Sequence, residues 1–334
     1  MNTDCQSGTV DARGDVKPAR PRRRRWWVFG LGLFIAGLIP LFLFVLNGAV
    51  LDRGNMPEVV VTRHAAAAPP QRGDQVRILA YNIAKAFVHR GGFRFAEQTE
   101  VRARLDRIAE VIRDAKPDLV FLSEAVRDCG PCPVNQVDYL AERCGMHAWA
   151  FGENYNVGLP FFRISGGNAI LSRWPLEGIA NLDLPGRKPF YVTRNNRRFL
   201  ICSTEIAGQA VLLGGMHTDS FDRENNAAQS RLIVEALSLQ PAVCAGDFNA
   251  EPGSESLTLF RDSGRFFGEW NGAATYPSEA PQRTIDYVFG PADWKLVKHR
   301  VIQSDASDHC AVLTVFEVPD EQRSGKTAGE SVRD

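Results

Sequence analysis

Residues able to do chemistry recur in this 334-residue chain at the ends of short apolar runs. Asn82 follows the run 76–81, Glu124 follows 118–122, and His217 follows 210–214. Asp247 and Asn249 follow 242–246, Asp286 stands in 285–289, and Asp308-His309 come just before 311–316. Carboxylates and amides are hard oxygen ligands, suited to Mg²⁺ or Mn²⁺ with few protein contacts. An imidazole titrates near neutral pH and can take or give a proton. Zinc chemistry does not fit, since neither HExxH nor paired CxxC motifs occur. Any one of these residues has an ordinary reading as a turn former, a solvated acid or a structural histidine. Their recurrence at strand ends points instead to a site built on loops of a rigid sheet.

The elements that must position them are short and apolar. Strands are expected at 76–81, 118–122, 169–171, 199–204, 210–214, 242–246, 285–289 and 311–316. Val101, Leu105, Ile108, Val111 and Ile112 recur at helical spacing up to Ala115, with Lys116-Pro117 as the stop. Residues 229–237 read as a second helix. Apolar strands alternating with helices predict an α/β fold whose sheets are covered on both faces.

Seven segments occur in one order: Ala80-Tyr81-Asn82, Leu122-Ser123-Glu124, Gly167 to Arg173, Met216-His217-Thr218-Asp219, Gly246-Asp247-Phe248-Asn249-Ala250, Thr284 to Val288, and Ser307-Asp308-His309. Together they resemble the endonuclease/exonuclease/phosphatase superfamily, over nearly all of 76–316. The resemblance implies a four-layer α/β sandwich, two mixed sheets face to face with helices outside (DNase I-like). It also implies hydrolysis of phosphoric esters with Mg²⁺ or Mn²⁺. Glu124 is then the leading metal ligand, with Asn82 beside it and Asp308 completing the shell. His309 becomes the base that activates water, and Asp286 holds its other ring nitrogen. Asp247 and Asn249 stabilise the phosphoryl centre, and His217 faces the phosphate or leaving group, as in DNase I-like and sphingomyelinase-like members. Asn168 is a candidate for a phosphate oxygen, with a turn residue before a strand as the equal alternative. Glu153 is a candidate partner of His217.

The N-terminus poses a separate problem. Seven basic residues precede an uncharged stretch from Trp26 to Leu46, which as a helix at ~1.5 Å per residue spans about 30 Å. A transmembrane signal anchor at 26–48 is expected, with Trp26 and Trp27 in an interfacial belt. Arg22–Arg25 keep the 1–25 tail cytoplasmic by the positive-inside rule, which puts the 76–318 domain on the outer or periplasmic side. Residues 49–75 read as a linker and 319–334 as a polar tail.

With 39 basic and 39 acidic residues the chain has no net charge, so its charge as a whole does not argue for nucleic-acid binding. The mixed basic and aromatic stretch from Lys85 to Phe95 suits either stacked bases or a lipid surface, or folds into the core. The apolar segment 158–162, together with the anchor, tilts the expected substrate towards a phospholipid or sphingolipid phosphodiester. A nuclease is the alternative, and a non-catalytic binding module on the same fold is a third reading. No pattern implies a protein partner. Cys129-Gly130-Pro131-Cys132 and Cys144 suggest a structural disulfide in an oxidising compartment, while Cys202, Cys244 and Cys310 read as small core residues.

Overall fold

A computed structural model of the chain describes residues 22–50, 56–61, 75–91, 94–159, 162–186 and 197–319. Residues 1–21, 51–55, 62–74, 92–93, 160–161, 187–196 and 320–334 lie outside the described residues. The elements run α1 (Arg22–Val50), β1 (Glu58–Val61), β2 (Gln75–Asn82), a single helical turn (Ala84–Phe87), α2 (Gln98–Ala115), β3 (Leu119–Cys129) and α3 (Gln136–Arg143). They continue through β4 (Ala148–Leu159), β5 (Phe162–Ser172), β6 (Glu177–Asp183), β7 (Arg198–Ile206), β8 (Gln209–His217), α4 (Arg223–Ala236) and β9 (Ala242–Asp247). The last are α5 (Glu255–Asp262), β10 (Phe266–Gly268), β11 (Asp286–Pro291), β12 (Lys295–Ile302) and β13 (Ala311–Glu317).

Two mixed sheets result, one ordered β1-β4-β5-β3-β2-β13-β12 and the other β10-β11-β9-β8-β7-β6. The parallel pairs are β2 with β3, crossed over by α2, and β8 with β9, crossed over by α4. Strand alternation sends each central strand into two cores. On β2, Ile78 and Ala80 join the core between the sheets, with Phe121, Ile170, Leu213 and Val243. Leu79 and Tyr81 face the other way and pack with Val101, Leu105, Ile108 and Ile112 of α2. A third core lies outside the second sheet, where Ile233, Leu237 and Phe260 meet Phe248 and Phe289. These are the four expected layers, and burial on both faces is why the central strands read as unbroken apolar runs.

Helix α2 ends at Lys116 in the left-handed conformation (φ 50°), whose N–H bonds the Ile112 and Arg113 carbonyls before Pro117. Helix α4 starts earlier than the expected 229, because Asp222 caps it by accepting from the N–H groups of Glu224 and Asn225. Its first turns bury Asn225 and Asn226, so apolar spacing does not reveal them.

The 49–75 segment is not wholly a linker. Residues 58–61 form an edge strand on β4, with Val59 and Val60 against the two cores and Glu58 paired to Arg127. Four residues are too few to show a period. Of the apolar segment 158–162, Leu159 pairs with Phe162 between β4 and β5, and 160–161 lie outside the described residues. Cys129, Cys132 and Cys144 are free thiols rather than a disulfide, and Cys202, Cys244 and Cys310 are buried as expected. Helix α1 contains Trp26–Leu43, mean hydropathy 2.1 and none of it buried, which is long and apolar enough to cross a membrane. Pro40 lies inside the helix without ending it.

Candidate active site

The site forms where both sheets end on the same side, at the carboxyl ends of their parallel strands. Asn82 is the last residue of β2, His217 of β8 and Asp247 of β9. His217 pairs in register with Asp247, which is in turn opposite Asp286 at the start of the antiparallel β11. His309 precedes β13, the neighbour of β2.

Glu124 arrives differently. It lies inside β3, where the pairing with β5 slips between Leu122 and Ala125, and it takes φ 56°. Such a bulge re-aims a side chain that regular pleating would send elsewhere. Beside it Ser123 bridges the sheets, its hydroxyl donating to the Met216 carbonyl at 3.0 Å and facing the Asp247 N–H at 3.4 Å.

His309 and Asp286 form the centre of the cluster. His309 Nδ1 lies 2.9 Å from Asp286 Oδ2, which also accepts from the Thr275 hydroxyl at 2.6 Å. Nε2 of His309 points towards Asn82 Nδ2 (3.4 Å) and Asp247 Oδ2 (3.9 Å). The Asn82 amide donates to that Asp247 oxygen at 3.0 Å. Tyr276 packs on the His309 ring, centroids 4.7 Å apart. Burial opposes a charge on His309, but Asp286, through its charge and its hydrogen bond, together with Asp247 and Asp308, pushes it up to about 9.

His217 sits across Asp247, with Nε2 at 3.5 Å from Asp247 Oδ2 and Nδ1 at 3.9 Å from Glu124 Oε1. Burial, then the charges of Arg197, Lys85 and His309, hold it well below its ordinary value, so it is neutral. Burial and the adjacent Asp286 raise the Asp247 carboxyl. Burial opposes the charge on Glu124 as well, yet the Lys85 ammonium outweighs it and keeps the carboxyl below its usual range. Asn249, at φ 46°, caps Asp247 Oδ1 with its N–H (2.9 Å) and donates its side-chain amide to the Thr218 carbonyl (3.1 Å).

A family model described as the endonuclease/exonuclease/phosphatase family matches residues 79–309. The chain belongs to that family. None of the curated proteins is similar to the chain at a significant level. Among solved structures, an endonuclease/exonuclease/phosphatase from Beutenbergia cavernae is 24% identical with a TM-score of 0.55, covering 73% of this chain and 72% of that one. A humanized D. rerio TDP2 is 16% identical (TM-score 0.52, 73% and 99% covered). The human Nocturnin catalytic domain with bound sulfate is also 16% identical (TM-score 0.52, 78% and 96% covered).

Members of the endonuclease/exonuclease/phosphatase family are typically hydrolases of phosphoester bonds, and most of the residues expected for that chemistry converge here. Glu153 does not pair with His217; it accepts from Ser165 within the sheet, and His217 has Glu124 and Asp247 instead. Asn168 is fully buried in β5, where its amide donates to the Arg198 carbonyl at 3.0 Å and its own Oδ1 has no hydrogen-bond partner. Among the described residues one set of acid and histidine atoms lies within 4.8 Å of one another, close enough to hold a metal: Asp247, Asp286 and His309. Asp308 is half-buried and acts on the site through its charge on His309.

Two participants, Arg197 and Thr275, went unread in the sequence, since nothing local ties them to a site that folding brings near. Lys85 and Ser123 were read only within wider segments, Lys85 at the head of the basic and aromatic stretch and Ser123 beside Glu124.

Proposed function

We propose that the protein is a membrane-tethered, Mg²⁺- or Mn²⁺-dependent phosphodiesterase that cleaves a phospholipid or sphingolipid. The observation carrying this reading is the His309–Asp286 pair, 2.9 Å apart, with the free ring nitrogen turned into a cluster of Asn82, Asp247 and His217. In the fraction of molecules whose His309 ring is neutral, Nε2 takes the proton of the attacking water while Asp286 accepts from Nδ1–H and stabilises the imidazolium that forms. Neutral His217 donates a hydrogen bond to a phosphoryl or leaving oxygen. Asp247, its carboxyl raised by burial, is poised to protonate the departing alkoxide. Asn82 and Asn249 fix these groups through the hydrogen bonds already described.

The residues fit a hard divalent cation. Glu124 holds the Lys85 ammonium on Oε2, so its carboxylate seats a positive charge, and the Asn82 strand end pairs with Ser123 next to it. A cation held there by Glu124, with Asn82 and Asp308 as further oxygen donors, supplies charge neutralisation at the phosphoryl oxygens and a field opposing protonation of His309.

The surroundings favour a lipid over a nucleic acid. A cleft of about 640 Å³ beside Asn249 is lined by Asp219, Asp222, Glu224, Glu251 and Glu255 against Arg223 and Arg283. A polyanionic strand would be repelled there, whereas a single phosphodiester with a cationic headgroup would not. Phe221 stands 96% exposed on the same rim. Helix α1 supplies the tether, with its Arg22–Arg25 end cytoplasmic and the catalytic domain on the outer face.

The test is hydrolysis by the full-length protein in detergent with Mg²⁺, against sphingomyelin, phosphatidylcholine, DNA, RNA and inositol phosphates. Turnover of a phospholipid or sphingomyelin, abolished by EDTA and restored by Mg²⁺, is expected. Preference for DNA or RNA replaces the lipid reading with a nuclease, and metal-independent turnover removes the Glu124 assignment. No turnover of any ester leaves a binding module.

A further inference from the structure

Two cations enter the site from opposite sheets, and neither belongs to the machinery above. The first follows β2. Ala84, Lys85, Ala86 and Phe87 all have positive φ, between 47° and 57°, a left-handed turn made without glycine. The turn is held at three points. The Ala84 N–H donates to Asn82 Oδ1 (3.0 Å), the Gln136 amide donates to the Lys85 carbonyl (2.7 Å), and Arg104 lies over the Phe87 ring at 4.5 Å. Its product is the placement of Lys85 Nζ on Glu124 Oε2, with the lysine side chain still 36% exposed. Strain of this kind persists where surrounding structure over-determines it, and it concentrates at sites that use it.

The second cation is Arg197, immediately before β7 in the other sheet. The pairing of β7 with β8, Leu200 opposite Gly215, brings it to the His217 end of β8, and it reaches Ser220 Oγ at 3.3 Å on the loop that follows His217. Lys85 and Arg197 together also bear on His217.

We propose that Lys85 and Arg197 form a phosphate clamp, one cation from each sheet, that binds the non-bridging oxygens of the substrate phosphoryl group. A Glu124 oxygen can face either the Lys85 ammonium or a divalent cation. The ammonium released from it stays on a fixed turn at the mouth of the site, where phosphoryl oxygens are the available anions. Arg197 contributes the planar donor fork that matches two such oxygens. The clamp rests on the phosphodiesterase reading of the site, but it can be tested without catalysis.

Full-length protein in detergent, loaded with Mn²⁺, is titrated with inorganic phosphate by calorimetry, and Mn²⁺ affinity is read separately by electron paramagnetic resonance. Lys85→Met and Arg197→Met are each expected to weaken phosphate binding about tenfold or more, the worth of a charge-assisted hydrogen bond. Mn²⁺ binding should be as tight as in the wild type or tighter in Lys85→Met. Lys85→Arg, which keeps the charge, should stay within about threefold of wild type for phosphate. Unchanged phosphate affinity in both Met variants overturns the clamp, as does wild-type protein that binds no phosphate. Parallel loss of Mn²⁺ and phosphate in Lys85→Met also overturns it, leaving Lys85 as a support for Glu124. Wild-type protein that binds phosphate through Lys85 but hydrolyses no ester supports the clamp and defeats the phosphodiesterase reading alone.

Discussion

The regions around His309 and His217 hold the same side chain at nearly the same burial, 6% exposed in each case, and put it in opposite charge states. His309 has a carboxylate at 2.9 Å on Nδ1 and two more acids nearby, and it is held protonated up to about 9. His217 has its nearest carboxylate oxygens at 3.5 and 3.9 Å, with Arg197 and Lys85 close by, and it is held neutral. Desolvation acts against charge on both, so the partner decides the outcome. One site thus contains an imidazole that stabilises a proton and one that remains uncharged, a division of roles between chemically identical groups.

The comparison is most severely tested by removing the proton carrier. His309→Ala should lower turnover by about two decades or more with circular dichroism unchanged; an unaltered rate would break the assignment. Asp286→Asn removes the largest raising influence on His309. Its turnover should fall by about one to two decades, and the His309 titration followed by NMR in metal-free protein should drop by roughly one unit or more. The sign in stability is fixed by the raised value. Stabilisation from the His309–Asp286 pair is complete below the ordinary imidazole value of about 6.5 and is lost as pH rises through about 9. Thermal melting of wild type should therefore fall across that window, and that of Asp286→Asn should fall less.

His217→Gln keeps a polar, uncharged group and should cost about one decade in rate with little change in the pH profile, since a neutral residue replaces a neutral one. A profile that moved with this variant would mean that His217 is charged after all. The smallest effect belongs to Asn168→Ala, which removes the amide bonded to the Arg198 carbonyl. Roughly 1 kcal/mol of stability should be lost, read by denaturant melting, with substrate affinity nearly unchanged because the residue is fully buried and its amide is taken up by the Arg198 carbonyl.

Central strands and their terminal polar residues were legible in the sequence because burial on both faces makes β2, β3, β8, β9 and β13 continuous apolar runs. The edge strands β1, β12, β10 and β6 were not, and neither was β4, which lies between β1 and β5. Strands β6 and β12 carry exposed charged residues such as Glu177, Asp183, Lys295 and Lys298, as edges that avoid pairing with other chains do, so they lack the signal. Among the site residues, His309, Asp286, Asp247, His217 and Glu124 could be named from their local segments. Asn168 and Glu153 could not be placed, because whether a strand residue faces the site or a neighbouring strand depends on register. Thr275 and Arg197 carry no local mark at all.

Residue order alone carried the family resemblance: seven segments with oxygen donors, two imidazoles and amides at the ends of apolar runs implied the fold and the phosphoester chemistry typical of that family. It also placed an uncharged helix of membrane length ahead of them. Which histidine keeps a proton, how a bulge turns Glu124, and which cations share its surroundings were decided by the packing of the two sheets. Those outcomes depend on close contacts between residues far apart in sequence, 39 positions for Lys85 and Glu124 and 165 for Asn82 and Asp247 at 3.0 Å, and electrostatic coupling in a desolvated site is set by such distances.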